Sequence, residues 1–260
     1  MMDDEKPSGS SERSTPGNPL LGFTVAVQFL TISPAFIKRR FSPPELGQAS
    51  GYFPLVGALI GAVLWGASLL LGQIFRASVT AALVLLIWVL LSGALHLDGF
   101  VDSCDGLFGG RTPAARLEIM KDERVGAFGL AGGVFLLLVK YAALSALPGR
   151  PAALLVAPVL GRWGMTLSIF AFPYGRDQGL GKAMKDFTSA WQVALATIMA
   201  FGISWLLAAQ TGLLACLVAA LTTGLVAAFA LRRIPGLTGD VYGAINEMVE
   251  LATLLIFIAV

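Results

Sequence analysis

Charge is the scarcest property of this 260-residue chain: only 13% of its residues are Asp, Glu, Lys or Arg, whereas 56% are hydrophobic. Together with a mean hydropathy of +0.78, this excludes a soluble globular domain, whose surface needs more charge and whose core cannot enclose so much apolar side chain. Histidine occurs once and cysteine twice, as Cys104 and Cys216 in distant segments. No CxxC pair or Cys/His set for zinc is therefore present, and the redox compartment stays unread. A net charge of +2 offers no field for nucleic acid or an acidic partner. Strands of about ten alternating residues are also missing, which excludes a membrane β-barrel. What remains is long Leu/Ala/Val runs carrying 30 Gly and 13 Pro, a composition suited to α-helices packed closely in lipid.

The apolar runs lie at about 20–36, 51–72, 77–95, 126–147, 152–172, 191–209, 212–231 and 241–260. At about 20 residues per crossing, they predict an all-α, polytopic membrane bundle of about eight transmembrane helices (seven to eight), forming a single domain over 20–260. The polar, Ser/Pro/Gly-rich stretch 1–19 reads as a disordered tail and lacks the layout of a signal peptide. The weakest spans are the first, with Gln28 and Pro34, and the last, which opens with Asn246, Glu247 and Glu250; each has an interfacial or re-entrant alternative. Gly57-x-x-x-Gly61 predicts a close helix contact.

Basic residues alternate between loops. Lys38, Arg39 and Arg40, then Arg111, Arg116, Lys121 and Arg124, then Arg176, Lys182 and Lys185, then Arg232 and Arg233 fall on one side, with only Arg76 and Arg150 on the other. The positive-inside rule makes the first side cytoplasmic and, with eight spans, puts both termini outside. If the first run is interfacial, the N-terminus becomes cytoplasmic and the rest stands. Beyond the tail, the carboxylates gather on the same side, which the topogenic rule does not require.

The third run leads into His96-Leu-Asp98-Gly-Phe-Val-Asp102-Ser-Cys-Asp105-Gly106. On a helix, Asp98, Asp102 and Asp105 form one stripe at i, i+4 and i+7. Three like charges at a bilayer boundary call for a cation, and an all-oxygen set selects a hard ion, Mg²⁺ above all when phosphates complete its shell. Downstream, Glu118-Ile-Met-Lys121-Asp122-Glu123-Arg124 interleaves carboxylates and cations, suiting either a site for metal and phosphate together or an ordinary surface helix. Arg162, costly in lipid, faces the bundle interior to meet a phosphate or pair with a carboxylate. Lys140 has the same choice. His96 is a ligand, a proton-transfer group or a helix-end hydrogen-bonding group. Asp240, Asn246 and Glu247 gather at a Thr-Gly-Asp turn and helix start as a second substrate-contacting element or a cap.

The strings HLDGFVDSCDGLFGG and RLEIMKDERVGAFG, with Tyr52–Gly57, Gly175-Arg176-Asp177-Gln-Gly179-Leu-Gly181 and Gly236-Leu-Thr238-Gly239-Asp240 through Glu247, resemble the motifs of the cobalamin synthase family. The resemblance covers nearly the whole chain after residue 20. It implies a membrane-bound catalytic domain that joins α-ribazole, or its 5′-phosphate, to adenosylcobinamide-GDP and releases GMP, by in-line attack of the ribose 5′-hydroxyl on the β-phosphoryl group. It implies Mg²⁺ at Asp98, Asp102, Asp105 and Asp122, with Lys121 also catalytic and one carboxylate, Glu118 included, taking the hydroxyl proton. Substrate would meet His96, Glu118, Arg124, Arg162, Arg176, Asp240, Asn246 and Glu247. The partners implied are these two substrates and membrane lipid, not nucleic acid; other corrinoid-assembly enzymes and copies of the chain are compatible additions. Localisation in the cell (inner) membrane with the site facing the cytoplasm follows.

Asp102-x-x-Asp105-Gly106 also partly resembles the opening of the CDP-alcohol phosphotransferase motif, but Leu107 to Gly110 intervene before Arg111 and the terminal Asp pair is missing. Two further rivals are a divalent-cation transporter, which predicts polar residues deeper in several spans, and a Mg²⁺-dependent membrane prenyltransferase, which predicts a second Asp-rich stripe.

Overall fold

The computed structural model describes residues 18–147 and 151–260. The predicted tail, up to residue 17, and Arg150 lie outside the described residues. The described elements are α1 (Pro19–Leu30), α2 (Pro43–Ala49) running through a 3-10 turn (Ser50–Tyr52) into α3 (Phe53–Gly72), α4 (Ala77–Leu91), α5 (Leu95–Gly109), α6 (Pro113–Ile119), α7 (Ala127–Ser145), α8 (Pro151–Ala171), α9 (Leu180–Phe187), α10 (Ala190–Leu231) and α11 (Gly239–Ala259). The all-helical expectation is met: among the described residues the one β-type contact is an isolated bridge between Tyr174 and Leu237.

Five helical segments are long and apolar enough to cross a membrane: Pro43–Gly72, α7, α8, α10 and α11. A sixth is formed if α4 and α5 count as one span bent by 89°. The eight expected runs do not map one to one, for two local reasons. The first run yields a helix of 12 residues, about 18 Å long against a hydrocarbon layer of about 30 Å. The third run stops where Gly93 (φ 59°) and Ala94 (φ 57°) enter the left-handed region, a conformation that breaks a right-handed helix. The Leu91 carbonyl near this break accepts the Ile32 N–H at 3.0 Å, so the segment after α1 closes the exposed helix end.

The sixth and seventh runs form the two halves of α10, whose 42 residues have a non-helical Ala209 (φ 44°, ψ −121°) inside. Here the chain doubles back. A Cβ on Gly212 would lie 2.0 Å from the Ser204 carbonyl oxygen, whereas residues eight apart on a continuous helix are separated by about 12 Å. α10 is thus two antiparallel arms joined at one residue.

The core is formed by α8 and α11, whose apolar windows are 83% and 72% buried, against 33% in α7. α3 crosses α8 antiparallel at the predicted small-residue contact: Cβ atoms on Gly57 and Gly61 would lie 2.3 Å from the Pro158 carbonyl oxygen and 2.8 Å from that of Leu154. Only hydrogen at both positions permits that separation. The rest of α8 is covered by α10 and α11, so the outer helices hold α11 in place against α5.

Candidate active site

α5 begins directly after the left-handed break, and its helical register carries Asp98, Asp102 and Asp105 along one side. Gly99 and Gly243 let α5 and α11 cross at backbone distance: a Cβ on Gly99 would be 2.9 Å from the Asp240 carbonyl oxygen, and one on Gly243 3.0 Å from that of His96. This crossing sets the start of α11 beside the Asp stripe. Thr238 caps α11 by accepting the Val241 N–H and hydrogen-bonds to Asp240 Oδ2 at 3.1 Å. Asp98, Asp240 and Asp105 all lie close enough to Asp102 to repel its negative form, while Arg176 attracts it.

Arg176 reaches the site because two loops are laced together. Gly175 N–H donates to the Leu237 carbonyl and Leu237 N–H to the Pro173 carbonyl, both at 2.8 Å, while Gly175 and Gly236 stand backbone to backbone. Arg176 Nη2 then donates to Asp240 Oδ2 at 2.7 Å, with both side chains about four-fifths buried. The central Gly-Arg-Asp motif and the C-terminal Thr-Gly-Asp motif, separate in sequence, are one unit here. Asp98 is exposed and Asp102 half-buried, so this face opens outward.

The other predicted residues of the loop after α5 sit differently. Asp105 is buried, and its two oxygens accept the backbone N–H groups of Gly126 and Gly129 at 2.7 Å each. Asp122 accepts from Arg124 Nε and Nη2 at 3.0 and 2.8 Å, which holds its carboxyl down at about 2. Glu118 pairs with Lys121 at 2.8 Å, which lowers its pKa from the usual carboxylate range. Met120, buried against Gly106 and Thr238, is the inward anchor of this segment. Arg116 adds a hydrogen bond to the Arg233 carbonyl at 3.0 Å.

His96, Arg162 and Glu247 belong to a second, deeper group. Lys140 Nζ donates to Glu247 Oε2 at 2.5 Å and Glu250 Oε2 at 2.6 Å, and stands 4.9 Å over the Trp88 ring. Arg162 Nη1 pairs with Glu250 Oε1, and its Nη2 faces His96 Nδ1 at 3.4 Å. Arg162 and Glu250 have no exposure at all. Of the alternatives open to Arg162, the structure supplies the ion pair. Asn246 is packed beside Gly161, its amide nitrogen and oxygen buried without a hydrogen-bond partner among the described residues. Two cations thus face two carboxylates, and the cluster is formally neutral. Lys140 and Glu250 carry the weight here, although their sequence positions mark them only as polar breaks in apolar runs.

Among the described residues no three His, Cys, Asp or Glu side chains converge tightly enough to hold a metal ion by themselves. Asp98, Asp102 and Asp240 nevertheless present all-oxygen donors to one open face. That suits a hard divalent ion whose remaining ligands arrive with a phosphorylated substrate. Asp105 and Asp122 are engaged elsewhere. Gly99, Gly243, Gly126 and Gly129 are the site-forming residues that residue chemistry misses, because glycine acts here through the space it leaves.

The chain matches the cobalamin-5-phosphate synthase family over residues 22–258. It is 42% identical over 242 residues to a protein of Pseudomonas syringae pv. syringae, covering 91% of this chain and 98% of the relative. It is 41% identical over 238 residues to one of Stutzerimonas stutzeri (90% and 96% covered), and 37% identical over 238 residues to one of Desulfitobacterium hafniense (89% and 94% covered). All three bear the name adenosylcobinamide-GDP ribazoletransferase. No solved structure matches.

Proposed function

The chain belongs to the cobalamin-5-phosphate synthase family, and on that premise we propose that it joins α-ribazole, or its 5′-phosphate, to adenosylcobinamide-GDP with release of GMP, at the face formed by Asp98, Asp102, Asp240 and Arg176. The observation that carries the reading is the meeting of two motif loops with the Asp stripe, which puts a buried-side guanidinium beside clustered carboxylates. Such a pairing handles a diphosphate from both sides: cation against phosphate oxygens, carboxylates against the divalent ion that accompanies them.

Asp98, Asp102 and Asp240 would hold Mg²⁺. The ion, when bound, neutralises charge on the diphosphate and on the departing GMP. Arg176 orients the phosphate oxygens, releasing Asp240 as it does so. Glu118 lies within electrostatic reach of Arg176, so its ion pair with Lys121 brings the loop after α5 to the edge of this face. A carboxylate of the face, or Glu118, takes the proton of the attacking ribose hydroxyl. That hydroxyl is a secondary one: the 5′-phosphate form of the nucleoside has no free 5′-hydroxyl, so the 5′ assignment made from sequence gives way.

We place the chain in the cell (inner) membrane as one catalytic domain. The two arms of α10 make two crossings and the α4–α5 pair one, giving seven, with α1 and α2 at the cytoplasmic surface. The Arg-rich loops and the Asp face then share the cytoplasmic side. The test is GMP release by purified protein supplied with adenosylcobinamide-GDP, α-ribazole and Mg²⁺. GMP should require all three; movement of divalent ions through vesicles without any GMP would overturn the reading in favour of a transporter.

A further inference from the structure

We infer that Asp105 is a positioning residue: it clamps the first turn of α7 to α5 and so holds the intervening segment, with Lys121, at the edge of the substrate face. This deepens the phosphotransferase reading above and rests on it. Sequence pattern alone puts Asp105 with Asp98 and Asp102 as a third ligand. Its surroundings put it elsewhere. Both carboxylate oxygens accept backbone N–H groups at 2.7 Å, from Gly126 and Gly129, and only 7% of the residue is exposed.

These two donors belong to the start of a helix, where unpaired N–H groups and the helix dipole favour an anion. The fit requires glycine on the other side: a Cβ on Gly126 would lie 2.5 Å from Asp105 Oδ1, and one on Gly129 2.2 Å from Oδ2. Three features of the fold, one carboxylate and two glycines, therefore make a single joint. From that joint the chain runs back through Arg124, Asp122 and Lys121 to Met120, which is buried against Gly106 of the same helix α5. The segment is pinned at both ends, and its exposed charged residues lie between the pins.

Asp105→Asn keeps the size but replaces one acceptor oxygen by an N–H₂ group facing an N–H donor. Three measurements on the full-length protein in detergent separate the roles. Amide exchange over residues 120–129 should quicken by about tenfold, the loss expected of a helix cap. Mn²⁺ affinity, followed by electron paramagnetic resonance, should stay within about threefold of wild type, whereas Asp102→Asn should weaken it by more than about tenfold. KM for adenosylcobinamide-GDP should rise by about tenfold with kcat little changed, because a displaced Lys121 weakens binding uniformly; a cap with a purely structural role would leave KM unmoved.

Loss of Mn²⁺ binding in Asp105→Asn equal to that in Asp102→Asn, wild-type amide exchange, or an unmoved KM would each overturn the assignment. If Asp105→Asn does not fold, Gly126→Ala decides: its methyl displaces the carboxylate and must reproduce the faster exchange, and unchanged exchange there refutes the joint. Failure of the wild type to release GMP would instead strike the proposed function, while the exchange measurement would still decide the joint.

Discussion

Glu250→Gln removes one charge and almost no volume, and the structure indicates what that charge does. The Glu250 carboxylate is fully buried and is shared by Lys140 and Arg162. Without it Lys140 keeps Glu247, at 2.5 Å, but Arg162 loses its ion-pair partner and is left as a buried cation against the His96 ring at 3.4 Å. Breaking a buried pair in this way costs about 3–5 kcal/mol. Glu247→Gln leaves Lys140 and Arg162 both in contact with Glu250, so its cost is that of one charge-assisted hydrogen bond, about 1.5–3 kcal/mol. Combining Glu250→Gln with Arg162→Met restores formal neutrality, and the double variant should be less destabilised than the sum of the singles by about 2–3 kcal/mol. Unfolding in mixed micelles of increasing dodecyl sulfate content, followed by tryptophan fluorescence, gives all four free energies. A cost below about 1 kcal/mol for Glu250→Gln, or strict additivity in the double variant, would show that the cluster is not a mutually dependent ionic lock.

Ala209→Gly should stabilise the protein by about 1–2 kcal/mol, since Ala209 holds φ 44° where only glycine is unstrained; the same unfolding titration checks it. Arg124→Ala should return the Asp122 carboxyl from about 2 towards its ordinary 3.8, read by carbon NMR of the side chain. In the wild type this pair is fully formed above the ordinary value and is lost only as pH falls through about 2, as a depressed carboxyl requires. For sidedness, single cysteines placed at Lys121 and Lys182 should react with an impermeant thiol reagent from the cytoplasmic face, and one at Arg76 from the opposite face; labelling of Lys121 and Lys182 from different sides would break the topology.

The all-helical, apolar class and the grouping of Asp98 and Asp102 along one helix side were legible because they rest on local signals: hydropathy and Asp residues at helical spacing. Gly57 and Gly61 were legible for the same reason, a repeat of four on one helix. The inward course of Arg162 followed from the cost of exposing it to lipid. Its partner did not, because Glu250 is 88 residues away and nothing in a single sequence ranks it above other carboxylates. The reversal at Ala209 falls where the sixth apolar run ends, whereas the sharp bend at Gly93 and Ala94 was not legible, because it lies at the end of an apolar run that composition alone extends to residue 95. Asp105 shows the reverse difficulty, since spacing groups it with two neighbours from which burial and two backbone donors separate it.

The buried cluster also constrains how the protein is made. Lys140 and Arg162 enter the bilayer on α7 and α8, yet both their carboxylate partners lie on α11, 107 to 110 residues beyond Lys140. At translation rates of about 5–20 residues per second, the two cations wait roughly 5–20 s for their counter-ions. Until α11 is made, neither cation has the carboxylate it meets in the folded chain, so the interior contacts of α7 and α8 are completed only by a helix synthesised well after them.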